Sequence, residues 1–136
     1  MPRRRSKQAL AAYARAIALD SNDIDSLIGS GWIDLQQGLP GEAERHFRHA
    51  LPLLADDAQP WNRFRVRLGP GDIREQHDEL PDALALYREA VTIGEQQVRS
   101  APGDTSWQRA LSAADEKAGD VQAAQGNPTP GGAGSS

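Results

Sequence analysis

The chain has 136 residues, a net charge of −4 and no cysteine. The length suits one compact domain. The acidic balance gives no global field for nucleic acid, and without cysteine there is no disulfide, thiolate nucleophile or Cys-bound zinc.

Apolar residues make up 38% and aromatics 5% of the chain. That is lean for one deep core but suits thin layers of stacked helices burying Ala and Leu. No run approaches the roughly 20 apolar residues of a membrane span. The opening Met1-Pro-Arg-Arg-Arg-Ser-Lys7 resembles the basic start of a signal peptide, but Tyr13, Arg15 and Asp20 interrupt the stretch where its apolar segment would lie. The expected location is the cytoplasm.

In chain order, residues 1–7 read as a basic N-terminal extension, 8–126 as a helical domain and 127–136 as a disordered Gly/Pro/Ser tail. The first helix is expected over about Ser6 to Leu19, with Leu10, Tyr13 and Ile17 inward. Asp20 to Asp23 is a turn whose Asn22 or Asp23 can cap a second helix. That helix carries the 3.6-residue stripe Ile24, Leu27, Ile28, Gly31, Trp32, Leu35. Gln37 to Gly41 ends it, and Pro40 suits the first turn of a third helix running to about Leu54.

A fourth helix is expected from about Pro60 to Asp78, with a kink or break at Gly69-Pro70-Gly71, because Pro70 removes a hydrogen bond and crowds the preceding turn. A fifth runs from about Pro81 to Ser100. Asp104 or Thr105 caps a sixth, ending near Gln125.

Three stretches share one spacing: Ala, an aromatic four residues on, and Ala three beyond that. They are Ala9-Tyr13-Ala16, Ala43-Phe47-Ala50 and Ala83-Tyr87-Ala90, with starts 34 and 40 residues apart. The spacing puts all three residues on one helical face, where small Ala admits a neighbouring helix and the aromatic fills the gap. Gly31 and Gly71 each precede the second and third copies by twelve residues, and Gly119 opens a further copy that no Ala follows. A mid-helix glycine costs about 1 kcal/mol against Ala and makes sense where something packs closely against it. Trp61 and Trp107 stand ten and twelve residues before Gly71 and Gly119, an imperfect longer echo.

Few residues suggest chemistry. Glu42, His46 and His49 fall within two turns of one helix, a spacing able to hold a metal but common by chance; surface histidines are the expected reading, with no metal. Arg63, Arg65, Arg67 and Arg74, with Arg3, Arg4, Arg5 and Lys7, make local basic patches. A weak nucleic-acid binder would use the Arg63/Arg65/Arg67 patch on phosphates, with Trp61 or Phe64 stacking on bases. The alternating spacing spreads these charges around a helix, so a solvated surface balancing Asp56, Asp57, Asp78 and Glu79 is the expected reading. No Gly-rich phosphate loop follows a strand and no nucleophile has a recognisable base. The chain therefore reads as non-enzymatic, without cofactor and without nucleic acid as its partner.

The recurring residues resemble the tetratricopeptide repeat, whose 34-residue unit is a helix pair, A then B. Leu27, Gly31, Gly38, Ala43, Phe47 and Ala50 match one unit without gaps; Gly71, Ala83, Tyr87 and Ala90 match a second. Ala9, Tyr13 and Ala16 match the B half of a preceding unit, and Gly119 the A half of a following one. The part after Pro81 resembles bacterial variants with extended helices and a Trp-Gln-Arg…Gly-Asp-Val signature. Asp34 stands where the family usually has Tyr, and Gly69-Pro70 is foreign to an A helix.

The resemblance implies an all-α fold: antiparallel helix pairs in a short right-handed superhelical stack, an α-solenoid. It implies a scaffold or adaptor that holds a partner's peptide or helix in a groove lined by A helices. In the family register Asp25, Ile28, Trp32, Leu35 and Gln36 face that groove from the second helix, and Arg65, Leu68, Asp72, Glu75 and Gln76 from the fourth. Trp32 is either a groove anchor or part of the packed stripe beside Leu27 and Gly31. Ile28 and Trp32 occupy positions where carboxylate-clamping relatives carry Lys and Asn, so an apolar anchor is expected, with Arg65 facing an acidic ligand residue. A half unit at each end leaves three alternatives: a piece of a longer array, a homodimer joining the terminal half-repeats, or end faces covered by the basic N-terminus and the tail.

Overall fold

A computed structural model describes the backbone of residues 2–20, 22–54 and 59–126, and side chains from residue 7 onward. The expected tail, 127–136, lies outside the described residues. Among the described residues the regular structure is helical: α1 (Pro2–Leu19), α2 (Ile24–Gln36), α3 (Pro40–Ala50), a 3-10 turn at Leu51–Leu53, α4 (Pro60–Gln76), α5 (Leu80–Ser100) and α6 (Thr105–Ala124). Helices adjacent in sequence pack as pairs, and the chain forms two compact units, residues 1–62 and 63–136. No helix among the described residues is long and apolar enough to cross a membrane.

In the first unit α2 packs against both α1 and α3. Asp23 caps α2, its side chain accepting from the Ser26 amide. Two glycines let aromatic rings close on α2. A Cβ on Gly29 would stand 2.5 Å from the Tyr13 ring of α1, and one on Gly31 would stand 2.7 Å from the Phe47 ring of α3. Leu27, Ile28, Ala43, Phe47 and Ala50 complete the core.

In the second unit α5 packs on α6, and α4 meets both. A Cβ on Gly71 would lie 2.6 Å from the Tyr87 ring of α5, and Phe64 of α4 meets Trp107 of α6 edge to face at 5.5 Å. Asp104 caps α6 by accepting from the Ser106 and Trp107 amides. Phe64, Val66, Ile73, Ala83, Tyr87, Ala90, Ala114 and Val121 form the core.

The α2–α3 and α4–α5 turns are built alike, forty positions apart. The Leu39 amide donates to the Asp34 carbonyl and the Glu79 amide to the Arg74 carbonyl, each at 2.8 Å. Gly38 and Asp78 hold the matching left-handed positions at φ 75° and 61°. Glycine takes that conformation freely, and Asp is among the few other residues that tolerate it.

Two boundaries, and the expected break at Pro70, differ from expectation. α1 begins at Pro2, so the basic segment is helical from residue 2; proline suits a first helical position and nothing after it breaks the helix. α3 gives way to a 3-10 turn after Ala50, because Pro52 has no amide proton for the Arg48 carbonyl. α4 is unbroken across Pro70. A mid-helix proline costs about 3 kcal/mol. Buried Phe64, Val66 and Leu68 before it and Ile73 after it each contribute about 1.5–3 kcal/mol, enough to hold both arms in one helix.

Candidate protein-interaction surface

The expected groove residues separate into those that stay accessible and those that do not. On α2, Asp25 and Gln36 are exposed and Leu35 is half-buried. Ile28 is 0% exposed; its side chain fills the core, which removes it from the ligand-facing set. On α4, Leu68 is likewise buried, Arg65, Asp72 and Glu75 are half-buried, and Gln76 is exposed. Trp32 is half-buried, its ring edge to face with Phe47 at 6.1 Å. Its indole nitrogen is buried with no hydrogen-bond partner among the described residues, so the ring packs against Phe47 with one donor left unsatisfied.

In the second unit a polar cluster joins three helices. Tyr87 of α5 reaches α4, where its hydroxyl lies 2.6 Å from Asp72 Oδ1 and 2.8 Å from Glu75 Oε1. Lys117 of α6 donates to the same Asp72 oxygen at 2.9 Å, and its ammonium lies 5.9 Å from the Tyr87 ring centre. The phenol has one proton for two carboxylates, so it donates to one at a time. Burial, followed by the two adjacent carboxylates, pushes its ionisation far above the ordinary tyrosine range. Tyr87 is thus held as a neutral donor shared between the two acids on α4.

The first unit uses a different polar pair at its turn. Asp34 of α2 is 4% exposed and meets His46 Nδ1 of α3 at 2.8 Å. Burial raises the Asp34 carboxyl above its usual range, and the His46 contact offsets part of that rise. His46 therefore turns to Asp34 rather than to Glu42, which pairs with Arg45, while His49 is exposed. Among the described residues no group of three or more His, Asp or Glu side chains is placed to hold a metal.

The basic residues of α4 are engaged locally. Arg67 bonds Glu89 at 3.1 Å and the Arg63 carbonyl at 2.8 Å, and Arg74 bonds Glu79 at 3.0 Å. Acidic partners from α5 and the turn before it thus neutralise part of the patch.

The repeat-spacing residues fall in two groups. Leu27, Gly31, Ala43, Phe47, Ala50, Gly71, Ala83, Tyr87 and Ala90 are buried, whereas Ala9, Tyr13 and Ala16 on α1 are half-covered. Gly119 stands apart from the other two glycines: among the described residues a Cβ there meets nothing within 4 Å, because it lies away from the Ala114 and Val121 face of α6 that is buried. Sequence reasoning missed Lys117, the Tyr87 hydroxyl and the Asp34–His46 pair. The only available signal was that Asp72 and Glu75 stand three apart on one helix.

Comparison with protein-family models, with curated proteins and with solved structures returned no match.

Proposed function

We propose that this chain is a cytoplasmic, non-catalytic protein-interaction module of tetratricopeptide type, a scaffold or adaptor that binds a peptide or helix of a partner protein. The observation that carries the reading is the duplicated hairpin. Two helix pairs forty residues apart share a turn, its hydrogen bonds and a glycine seated under an aromatic ring. Such hairpins, stacked in register, present their A helices along one face.

Each unit offers its own part of a ligand surface. In the first, α2 carries Leu35 and Gln36 one turn after Trp32. In the second, α4 and α6 carry Asp72, Glu75 and Lys117, a polar set fixed by Tyr87. An apolar ligand residue suits the former and a basic one the latter. Fold type leads to function here by analogy.

A displayed peptide library selected on the full chain tests it. Enriched peptides should lose binding to Leu35→Glu or Glu75→Lys while both variants keep the parent's helical circular dichroism. A library that yields no enrichment over an unrelated helical protein overturns the reading. So does enrichment of peptides that bind the two variants as well as the parent.

A further inference from the structure

The two ring nitrogens of His46 meet different surroundings. Nδ1 lies 2.8 Å from Oδ2 of Asp34, a residue only 4% exposed. Nε2 is neither buried nor hydrogen-bonded among the described residues. An ionised Asp34 accepts the Nδ1 proton, which leaves the Nε2 lone pair open to solvent. His49 follows three positions later on α3 and is exposed. That spacing brings the two Cβ atoms to about 5–6 Å on one helical face, within reach of a single ion held by both rings at about 2.0–2.1 Å. Glu42, one turn before His46, is paired with Arg45, and Arg48 is paired with Glu44. Two imidazoles are therefore the donors in place.

The packing of the hairpin does not call for this set. The second hairpin shares the turn and the aromatic over a glycine, yet it carries Arg74, Leu86 and Glu89 where the first has Asp34, His46 and His49. The three polar residues are particular to the first hairpin. A carboxylate on the far nitrogen is what a metal-binding imidazole usually has, because it fixes the tautomer and the ring orientation and makes the ligating nitrogen more basic. Sequence spacing offered only Glu42, His46 and His49; the buried Asp34 behind one ring is the added observation.

We propose that His46 Nε2 and His49 bind one divalent ion of the late first-row metals, such as zinc, nickel or copper, with Asp34 as the buried group that positions His46. Imidazole donors suit these ions, whereas magnesium and calcium prefer oxygen. Water fills the remaining coordination positions. Glu42 can take one of them by leaving Arg45, since an exposed ion pair of that kind contributes little. This inference does not rest on the peptide-binding reading above.

Calorimetric titration of the untagged full chain with zinc, nickel or copper chloride near neutral pH tests it. One ion should bind per chain. His46→Gln and His49→Gln should each weaken binding about tenfold or more, and Asp34→Asn, which touches no metal, about tenfold. His77→Gln, at the other turn, should leave binding unchanged. Circular dichroism checks that each variant keeps the parent's fold. Imidazole nitrogen shifts in the zinc-loaded protein should place the metal on Nε2 of His46 while Nδ1 keeps its proton, a signature that a purely structural Asp34–His46 pair would not give. The proposal is overturned if no ion binds saturably, if His49→Gln binds as the parent does, or if zinc sits on Nδ1. An Asp34→Asn variant with undiminished affinity overturns the positioning role of Asp34.

Discussion

Asp34 and His46 tie the first hairpin together from inside: a carboxylate that is almost wholly buried on α2 meets a half-buried imidazole on α3 at 2.8 Å. In the second hairpin the matching positions are Arg74 and Leu86, and Arg74 turns instead to Glu79. Removing His46 alone strands a buried carboxylate. His46→Leu should lower stability by about 1–3 kcal/mol, measured by urea unfolding. The double variant Asp34→Ala/His46→Leu should recover part of that loss, because both polar groups go together. A double variant whose loss equals the sum of the two single losses would show that the pair has no coupling.

The same carboxyl sets a pH dependence. Burial raises the folded Asp34 pKa above the unfolded value of 3.8, so the folded state holds this proton more tightly. The stabilisation is fully present below the unfolded value and is lost as pH rises through the folded one. Asp34→Asn cannot ionise. Its stability relative to the parent should therefore improve as pH is raised from about 3 to about 6. A gap that shrinks over that window contradicts the assignment.

Tyr87 occupies the place of Phe47 but adds a hydroxyl between Asp72 and Glu75. Tyr87→Phe keeps the ring over Gly71 and leaves the two acids without that donor, although Lys117 still serves Asp72. Unfolding free energy should fall by about 1–3 kcal/mol, and Tyr87→Phe/Glu75→Gln should regain part of it. If Tyr87→Phe is neutral by chemical denaturation, the hydroxyl contacts contribute nothing to stability.

Helix number, capping residues and most boundaries were legible because they rest on local chemistry. Asp23 and Asp104 accept amides wherever a helix starts behind them, and the Ala-aromatic-Ala spacing marks a packed face by itself. Continuity through Pro70 was not legible, since it depends on burial of Phe64, Val66, Leu68 and Ile73 against partners distant in sequence. Ile28 was misplaced for a related reason. A helix with partners on two sides buries more than one stripe, and periodicity does not say how many sides are covered. The Tyr87–Asp72–Lys117 cluster spans three helices, so no local spacing could reveal it.

Three glycines that look equivalent in sequence should respond to the same substitution with opposite signs. At Gly31 and Gly71 an added methyl would stand 2.7 and 2.6 Å from ring carbons of Phe47 and Tyr87. Those rings are buried and cannot swing away, so Gly31→Ala and Gly71→Ala should each cost about 1–3 kcal/mol by overpacking. At Gly119 the methyl meets nothing within 4 Å among the described residues, and only the helix preference remains. Gly119→Ala should stabilise the dilute, unassociated protein by about 0.5–1 kcal/mol. Thermal unfolding of the three variants at low concentration separates the cases. A destabilised Gly119→Ala under those conditions would mean that something within the chain covers the α6 flank.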